Sequence, residues 1–496
     1  GDEAFYEAHR DELLAALRKD GPVRLQQRGD AGVGLMNQGG TCYMNSLLQT
    51  LFYTPEFRQM VFRFRHDAAT HGAEATCIPL QLQRLFAQLR LSRASALSTR
   101  ALTDAFGFSG RDSAEQHDVQ ELCRVLFDAL EQSSSHMREE IHRLFAGRVS
   151  NWIRSREEHG GKTYDRARSE KFLDLQVPIQ GCATLEEALR AMLVAEVLDG
   201  DNRWHCEELG EKIDALKGLS FERLPDVLCV QLMRFVFDLA TMRRRKLGDM
   251  LSVPLGIDLS FMLGPGASPM RYKLVGVCLH SGTAHGGHYH AYALDPASEA
   301  WRDCNDSSVY LLNPEQLARL FRPRAGSPAP CDEGAPDPAD REFCSSDAYF
   351  LVYRSVGRGS IAEGCDEELP DGLRADIATE NARIEVMQRA YAFHRNLREV
   401  TVFGPSAPAL ARRRHAAGLL HGLLAEGGDR SDTAEPPSVS APLPGDASYA
   451  DLMRKVRARC VEQAAAGGPD GAWSWAPRIS AADWQTRVRL RRYNPA

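Results

Sequence analysis

The chain has 496 residues, enough for more than one domain, because single cores stop growing at about 250–300 residues. Its 43% hydrophobic and 26% charged residues are ordinary for a soluble globular protein, and a formal net charge of −7 excludes the basic field that drives nucleic-acid binding. No stretch approaches the roughly 18 apolar residues of a membrane span, and no basic-then-apolar leader opens the chain, so neither a membrane nor a secretory signal is expected.

Residues 1–31 hold one short helical pattern (Phe5, Tyr6, Leu13, Leu14, Leu17) closed by Gly21-Pro22, which reads as an accessory segment. From Gly32 to about Val356 the texture passes from helical to strand-like. Apolar residues at helix spacing run through Leu47, Leu48, Leu51 and Phe52, and that helix is expected to end before Pro55. The same period returns in 79–91 and 114–132. Beyond residue 145 the pattern turns β-like: Phe172–Val177, Val227–Met233, Tyr272–Leu279, Tyr289–Leu294 and Tyr349–Tyr353 are short β-branched or aromatic runs. Helices first and antiparallel strands later predict an α+β architecture with a cleft between the two parts. A long helix is expected over 366–399, then a strand at Val400–Phe403. Residues 404–447, rich in Ala, Gly, Pro and Ser, read as a disordered insertion. The remainder, with a helix-like stretch at Leu452 and Val456 and a strand-like Val488–Leu490, suggests a partial β-grasp domain over 400–496.

Twelve cysteines are scattered without a CxxC pair, and several sit in apolar runs, as Cys229 and Cys278 do. They read as small buried hydrophobes in a reducing compartment, which predicts a cytoplasmic or nuclear protein.

Three segments carry candidate chemistry. In Asn37-Gln38-Gly39-Gly40-Thr41-Cys42-Tyr43-Met44-Asn45-Ser46 a polar, glycine-rich loop runs into an apolar helix with Cys42 at the junction. Unpaired N–H groups at a helix start favour thiolate over thiol, and Asn37 offers an amide N–H to an oxyanion. The segment alone equally fits an N-capped structural helix with a buried cysteine. His280–Tyr292 holds four histidines, at 280, 285, 288 and 290, any of which could serve as a general base. Loop histidines or a metal cluster are the alternatives, although the Cys or Asp/Glu companions of a zinc site are missing at ligand spacing. In Trp301–Val309, Asn305 or Asp306 could accept from the second imidazole nitrogen; a turn-forming Asn-Asp-Ser cluster is the alternative. Cysteine, histidine and Asn/Asp far apart in sequence are what a thiol protease shows before folding unites them.

Gly34–Leu51 resembles the cysteine box of the ubiquitin-specific proteases, and His285-Gly286-Gly287-His288-Tyr289 resembles their histidine box. Gln116–Leu122 is similar to the family's helix signature and Ala348–Tyr353 to its closing strand. The resemblance covers about residues 32–356 and is closest to the branch of the herpesvirus-associated member (HAUSP), which carries ubiquitin-like domains after its catalytic core. It implies a papain-like catalytic domain with helical thumb, palm and antiparallel β fingers, followed by the helical connector and a partial ubiquitin-like segment. It also implies hydrolysis of the bond after ubiquitin's C-terminal glycine, with ubiquitin and ubiquitinated proteins as partners and no cofactor. Cys42 is then the nucleophile, His288 the base, Asn37 the oxyanion donor, and Asn305 or its neighbour Asp306 the third triad member. Asp118 and Glu121, at i and i+3 on one helix, would face the arginines of ubiquitin's tail. Gln116, His117 and Tyr289 would lie beside that tail, and Gly286 and Gly287 would leave room for its Gly-Gly end.

The family pattern is departed from twice. Many members bind structural zinc through two CxxC pairs, and Asn151–Lys162 and Trp204–Glu207 retain neither, so no metal is expected. Asn305 stands where others have Asp. The rival readings are a silent ubiquitin-binding module, a protease for another ubiquitin-like modifier, and a metal-binding scaffold.

Overall fold

Cys42–Phe52 is a helix whose eleven residues are all buried, although four of the eleven are polar (Asn45, Ser46, Gln49 and Thr50). Burial of polar side chains costs stability unless each finds a partner. Here Asn45 donates to the carbonyl of Leu35, Gln49 to that of Val33, and Ser46 and Thr50 bond back to Cys42 and Ser46. These bonds tie the chain entering the helix to the helix itself. Tyr53 caps the end, and Pro55 opens the next helix, Pro55–Arg63, at its first turn, where proline needs no N–H partner.

The computed structural model describes residues 2–20, 32–108, 116–238, 242–264, 266–284, 286–324, 340–357, 369–395, 397–403, 438–444, 454–458 and 461–462. The chain divides into two units, Arg24–Ile384 and a second made of Gly1–Val23 with Glu385–Ala496.

In the larger unit the helices Ile78–Leu91, Val119–Ser133 and Ser135–Phe145 join the first two helices in one hydrophobic core with the sheet. That sheet has eight strands. Seven run in the order Ser308–Leu311, Ala300–Asn305, Gly286–Asp295, Arg271–Thr283, Ala348–Ser355, Val227–Leu232 and Asp174–Val177, and Gly256–Asp258 pairs off Arg271–Thr283. All pairings are antiparallel except the last in the row, Val227–Leu232 with Asp174–Val177. The central strand Ala348–Ser355 is buried over Ala348–Tyr353, as a strand covered on both faces must be. A four-stranded antiparallel sheet, Asp165–Phe172, Gly147–Ser155, Ala215–Arg223 and Glu196–Leu198, is far more exposed. Among the described residues no group of His, Cys, Asp and Glu is placed to hold a metal, and no helix is long and apolar enough to cross a membrane.

In the second unit the helix Asp2–Asp20 packs Tyr6 and Leu13 against Met387 and Ala390, so the N-terminal segment belongs with the C-terminal region. The long helix spans Asp371–Arg395, and the division between the units falls within it, after Ile384. The strand at Leu397–Phe403 pairs with Ser438–Pro444, which lies inside the stretch read from composition as a disordered insertion. Residues 404–437 and Val488–Leu490 lie outside the described residues.

Candidate active site

Cys42 stands at the first position of its helix, after Thr41, and is 3% exposed. Its Sγ accepts from the backbone N–H of Tyr289 at 3.4 Å and from Nε2 of Gln116 at 3.6 Å. The helix start does favour thiolate, through the Tyr43 N–H, but it is outweighed. Burial pushes the Cys42 thiol above its ordinary value, and the nearby Asp306 carboxylate adds to the rise, against the amides of Tyr289 and Tyr43 and the Gln116 side chain. A helix terminus is worth ~0.3–1 kcal/mol to a charge, less than burial costs a thiolate here.

Tyr289, the residue after His288, donates its backbone N–H to the thiol. Strand Gly286–Asp295 is registered against Arg271–Thr283 with Ser281 opposite His288, and against Ala300–Asn305 on its other side. His288 Nε2 lies 2.7 Å from Asn305 Oδ1, an oxygen that only accepts, so Nε2 carries a proton and, in a neutral ring, Nδ1 keeps the lone pair. That tautomer is the one a base needs. Among the other histidines, His280 is 3% exposed with its ring against Phe235 and Tyr289, and burial holds it down at about 4, so it is neutral and structural. His290 is also lowered by burial, and His285 lies outside the described residues.

Asn305 and Asp306 serve opposite directions. They begin the tight turn joining Ala300–Asn305 to Ser308–Leu311, and Asp306 adopts φ 46°, a left-handed conformation that Asp tolerates better than most residues. The carboxylate thereby turns away from the imidazole: Oδ2 accepts from Asn37 Nδ2 at 3.0 Å and Oδ1 from Asn45 Nδ2 at 2.8 Å. Asp306 as a partner of the imidazole is thus corrected; it holds Asn37. The turn sits against the strand before the cysteine loop, with the N–H of Leu35 on the carbonyl of Asp306 at 2.8 Å. Gly34 permits this, since a Cβ there would lie 2.3 Å from the backbone of Ser307. Asn37 is fixed at its other end as well, its Oδ1 accepting from the N–H of Gly39 and of Thr41.

Gln116 also meets the thiol and uses both ends of its amide, Nε2 toward Cys42 and Oε1 accepting from the N–H of Gly287 at 2.8 Å. Asp118 caps the helix Val119–Ser133 through the N–H of Gln120 and also accepts from the Tyr349 hydroxyl, so its carboxylate is engaged within the protein. Glu121 is exposed and lines a cavity of about 210 Å³ with Tyr43, Phe108, His117, Leu122 and Val125. His117 meets Tyr43 edge-on. Tyr289 corrects another expectation: its side chain is 2% exposed, packed against His280 and Tyr349, and only its backbone N–H reaches the site. Of the two glycines, Gly286 faces open space, whereas a Cβ on Gly287 would lie 2.2 Å from the carbonyl oxygen of Ser281. Gly287 is therefore required by the hairpin itself.

Sequence reasoning gave no role to Asn45, to Gln120 and Arg124, which hold the buried Asp174, or to Tyr349. Asn45 had a signal: a polar residue three positions after Cys42, on a helix start rich in apolar neighbours, needs a partner. The others depend on contacts between distant strands and helices.

A family profile described as "Ubiquitin carboxyl-terminal hydrolase" matches residues 33–353. The chain is 32% identical over 438 residues to human ubiquitin carboxyl-terminal hydrolase 47, covering 75% of this chain and 31% of that protein. It is 36% identical over 372 residues to ubiquitin C-terminal hydrolase 12 of Arabidopsis thaliana, covering 72% and 32%. Over 277 residues it is 43% identical to human ubiquitin carboxyl-terminal hydrolase 40, covering 53% and 22%. The chain thus spans about a third or less of the curated relatives it matches. Among solved structures, a SAGA DUB module (Ubp8 with Sgf11, Sus1 and Sgf73, bound to monoubiquitin) shares the fold, with a TM-score of 0.53, 23% identity, and coverage of 70% of this chain and 74% of that one.

Proposed function

This chain belongs to the ubiquitin carboxyl-terminal hydrolase family, and we propose that it is a thiol protease that hydrolyses the peptide or isopeptide bond after the C-terminal glycine of ubiquitin. One observation carries the reading. What supports it is that the Tyr289 N–H meets the Cys42 sulfur, across 247 residues of sequence, while His288, the residue before Tyr289, has its Nε2 held by Asn305.

In the proposed reaction His288 Nδ1 takes the thiol proton as Sγ attacks the carbonyl carbon of the terminal glycine. The oxygen becomes an oxyanion, and the imidazolium keeps its second N–H on Asn305. Of the two hydrogens on Asn37 Nδ2, one is given to Asp306 and the other is available to the oxyanion. The Asp306 carboxylate fixes the direction of that amide and strengthens the second donor, as charge-assisted chains do. Collapse of the tetrahedral intermediate breaks the bond to the leaving lysine nitrogen, which takes the proton from His288. Water, deprotonated by the same imidazole, then releases the glycine carboxylate and restores the thiol. Glu121, exposed in the first turn of its helix, takes a tail arginine, while Asp118 acts chiefly by capping that helix and fixing Tyr349. Gln116 leaves the thiol and Gly287 as the Gly-Gly end arrives.

The test is hydrolysis of ubiquitin carrying a fluorophore at its C-terminus. Asn37→Ala is expected to lose about 10²–10³ in turnover, the usual loss for one oxyanion donor, with ubiquitin affinity kept. Unchanged turnover would remove Asn37 from the mechanism, and no turnover by the parent chain would remove the function.

A further inference from the structure

Asn305 gives the His288 ring an amide oxygen where a carboxylate would give a full negative charge, so the imidazolium of the proposed reaction is held there by a dipole. The sheet sets other groups behind that pair. Tyr292 stands directly opposite Asp303 in the pairing of Gly286–Asp295 with Ala300–Asn305. Side chains alternate along a strand and opposite residues share a face, so His288, His290 and Tyr292 lie on one face with Asp303 and Asn305. His290, Tyr292 and Asp303 are half-buried there. The Tyr292 ring meets His290 and also Phe343, which covers this face from the strand Arg341–Ser345.

Asp303 enters no ion pair among the described residues, and its Oδ1 is buried without a donor there. Burial raises its carboxyl above the ordinary value, and the neighbouring His290 ring holds the rise back. Burial also lowers His290, which the Asp303 and Asp347 charges draw upward and His288 pushes further down, so the ring between them is neutral. The other carboxylates nearby are engaged: Asp306 by Asn37 and Asn45, and Asp347 by Lys246.

We propose that Asp303 is a positioning residue of the reaction: ionised, it supplies across the neutral His290 ring the negative field that Asn305 lacks, and so makes His288 a stronger base. The inference rests on the proposed function for the task of His288. Asp303 is two residues from Asn305, about 7 Å along the strand, and Asn305 touches the ring. The charge therefore acts from roughly 10 Å through partly buried surroundings, where attraction is weakened but not abolished.

The pH dependence of ubiquitin-fluorophore hydrolysis tests this. Burial keeps the Cys42 thiol protonated, so the acidic limb of kcat/KM reports His288. Asp303→Asn keeps the size and removes the charge, and His288 then gives up its proton more readily. The limb is expected to move down by about half a pH unit, with kcat falling about twofold to threefold and KM unchanged. Asp303→Glu is expected to keep the limb. Joining Asp303→Asn to Asn305→Asp, which returns a carboxylate to the ring itself, is expected to bring the limb back to the parent position or above it. A purely structural role would lower rate or melting temperature without moving the limb. An unmoved or raised limb in Asp303→Asn, or a double variant no better than Asp303→Asn, would each overturn the proposal. Should the parent chain cleave no ubiquitin substrate, the functional reading has failed separately. Titration of the His288 ring by NMR then decides: a lower midpoint in Asp303→Asn than in the parent supports the charge, and equal midpoints overturn it.

Discussion

The two sides of the candidate thiol site are built differently. On the Asn305 side, His288, Asn305, Asp306, Asn37 and Asn45 are joined through one turn by hydrogen bonds of 2.7–3.0 Å, and Asn37 is pinned at both ends of its amide. On the Gln116 side, one side-chain amide bridges the sulfur and the Gly287 N–H, and beyond it Gly286 faces open space. Groups that must meet a developing charge are best fixed in advance, because reorganisation during the reaction then costs little. Groups across the path of a substrate must yield. Under the proposed function, chemistry belongs to the first group and admission to the second.

The strongest attempt to break this division is made at its boundary. Cys42→Ala is expected to lower ubiquitin-fluorophore hydrolysis by roughly 10⁴-fold or more, as loss of a nucleophile does, while ubiquitin binding measured by calorimetry persists. On the fixed side, Asp306→Ala is expected to cost about tenfold to a hundredfold in kcat with little change in KM, because Asn37 loses its orientation. The double variant with Asn37→Ala is expected to be no worse than Asn37→Ala alone, since the two act as one unit. Additive losses would assign Asp306 a separate role. On the yielding side, Gln116→Ala is expected to change kcat/KM only a few-fold, because an exposed neutral hydrogen bond contributes about 1 kcal/mol. It should also speed alkylation of Cys42 by a small reagent in the free protein.

A fourth prediction concerns the packing behind the site. His280 is held at about 4 in the folded chain and returns to its ordinary value near 6.5 on unfolding. Its folded value is depressed, so the unfolded chain takes up the proton first. Stability is complete above about 6.5 and declines as pH falls toward 4, by up to about 3 kcal/mol in all. Denaturant midpoints for the parent chain and His280→Phe, followed from pH 7 to pH 4, check this; the variant should lose less stability on acidification.

Much of this was legible in the sequence. The α+β order, the helix break before Pro55 and the pieces carrying Cys42, His288 and Asn305 all rest on local spacing or long motifs. What failed did so for identifiable reasons. The resemblance implies Tyr289 beside the substrate, yet strand alternation puts neighbours on opposite faces, and the ring points into the core. Asn305 and Asp306 were indistinguishable as letters, and the φ of 46° at Asp306 separates them. The thiol was expected to ionise readily from its place on the helix, but its burial is a property of the assembled sheet and helices. The Ser438–Pro444 strand lies in a stretch whose Ala/Gly/Pro-rich composition masked it, and its partner is more than thirty residues away.

The central claim is that Cys42, with His288 at its side, attacks the last carbonyl of ubiquitin. Ubiquitin bearing a C-terminal vinyl electrophile tests it most directly, with intact mass and peptide mapping as the readout. The account predicts a single adduct on Cys42, absent from Cys42→Ala and formed far more slowly by His288→Ala. An adduct on any other cysteine, or none with the parent chain, contradicts it.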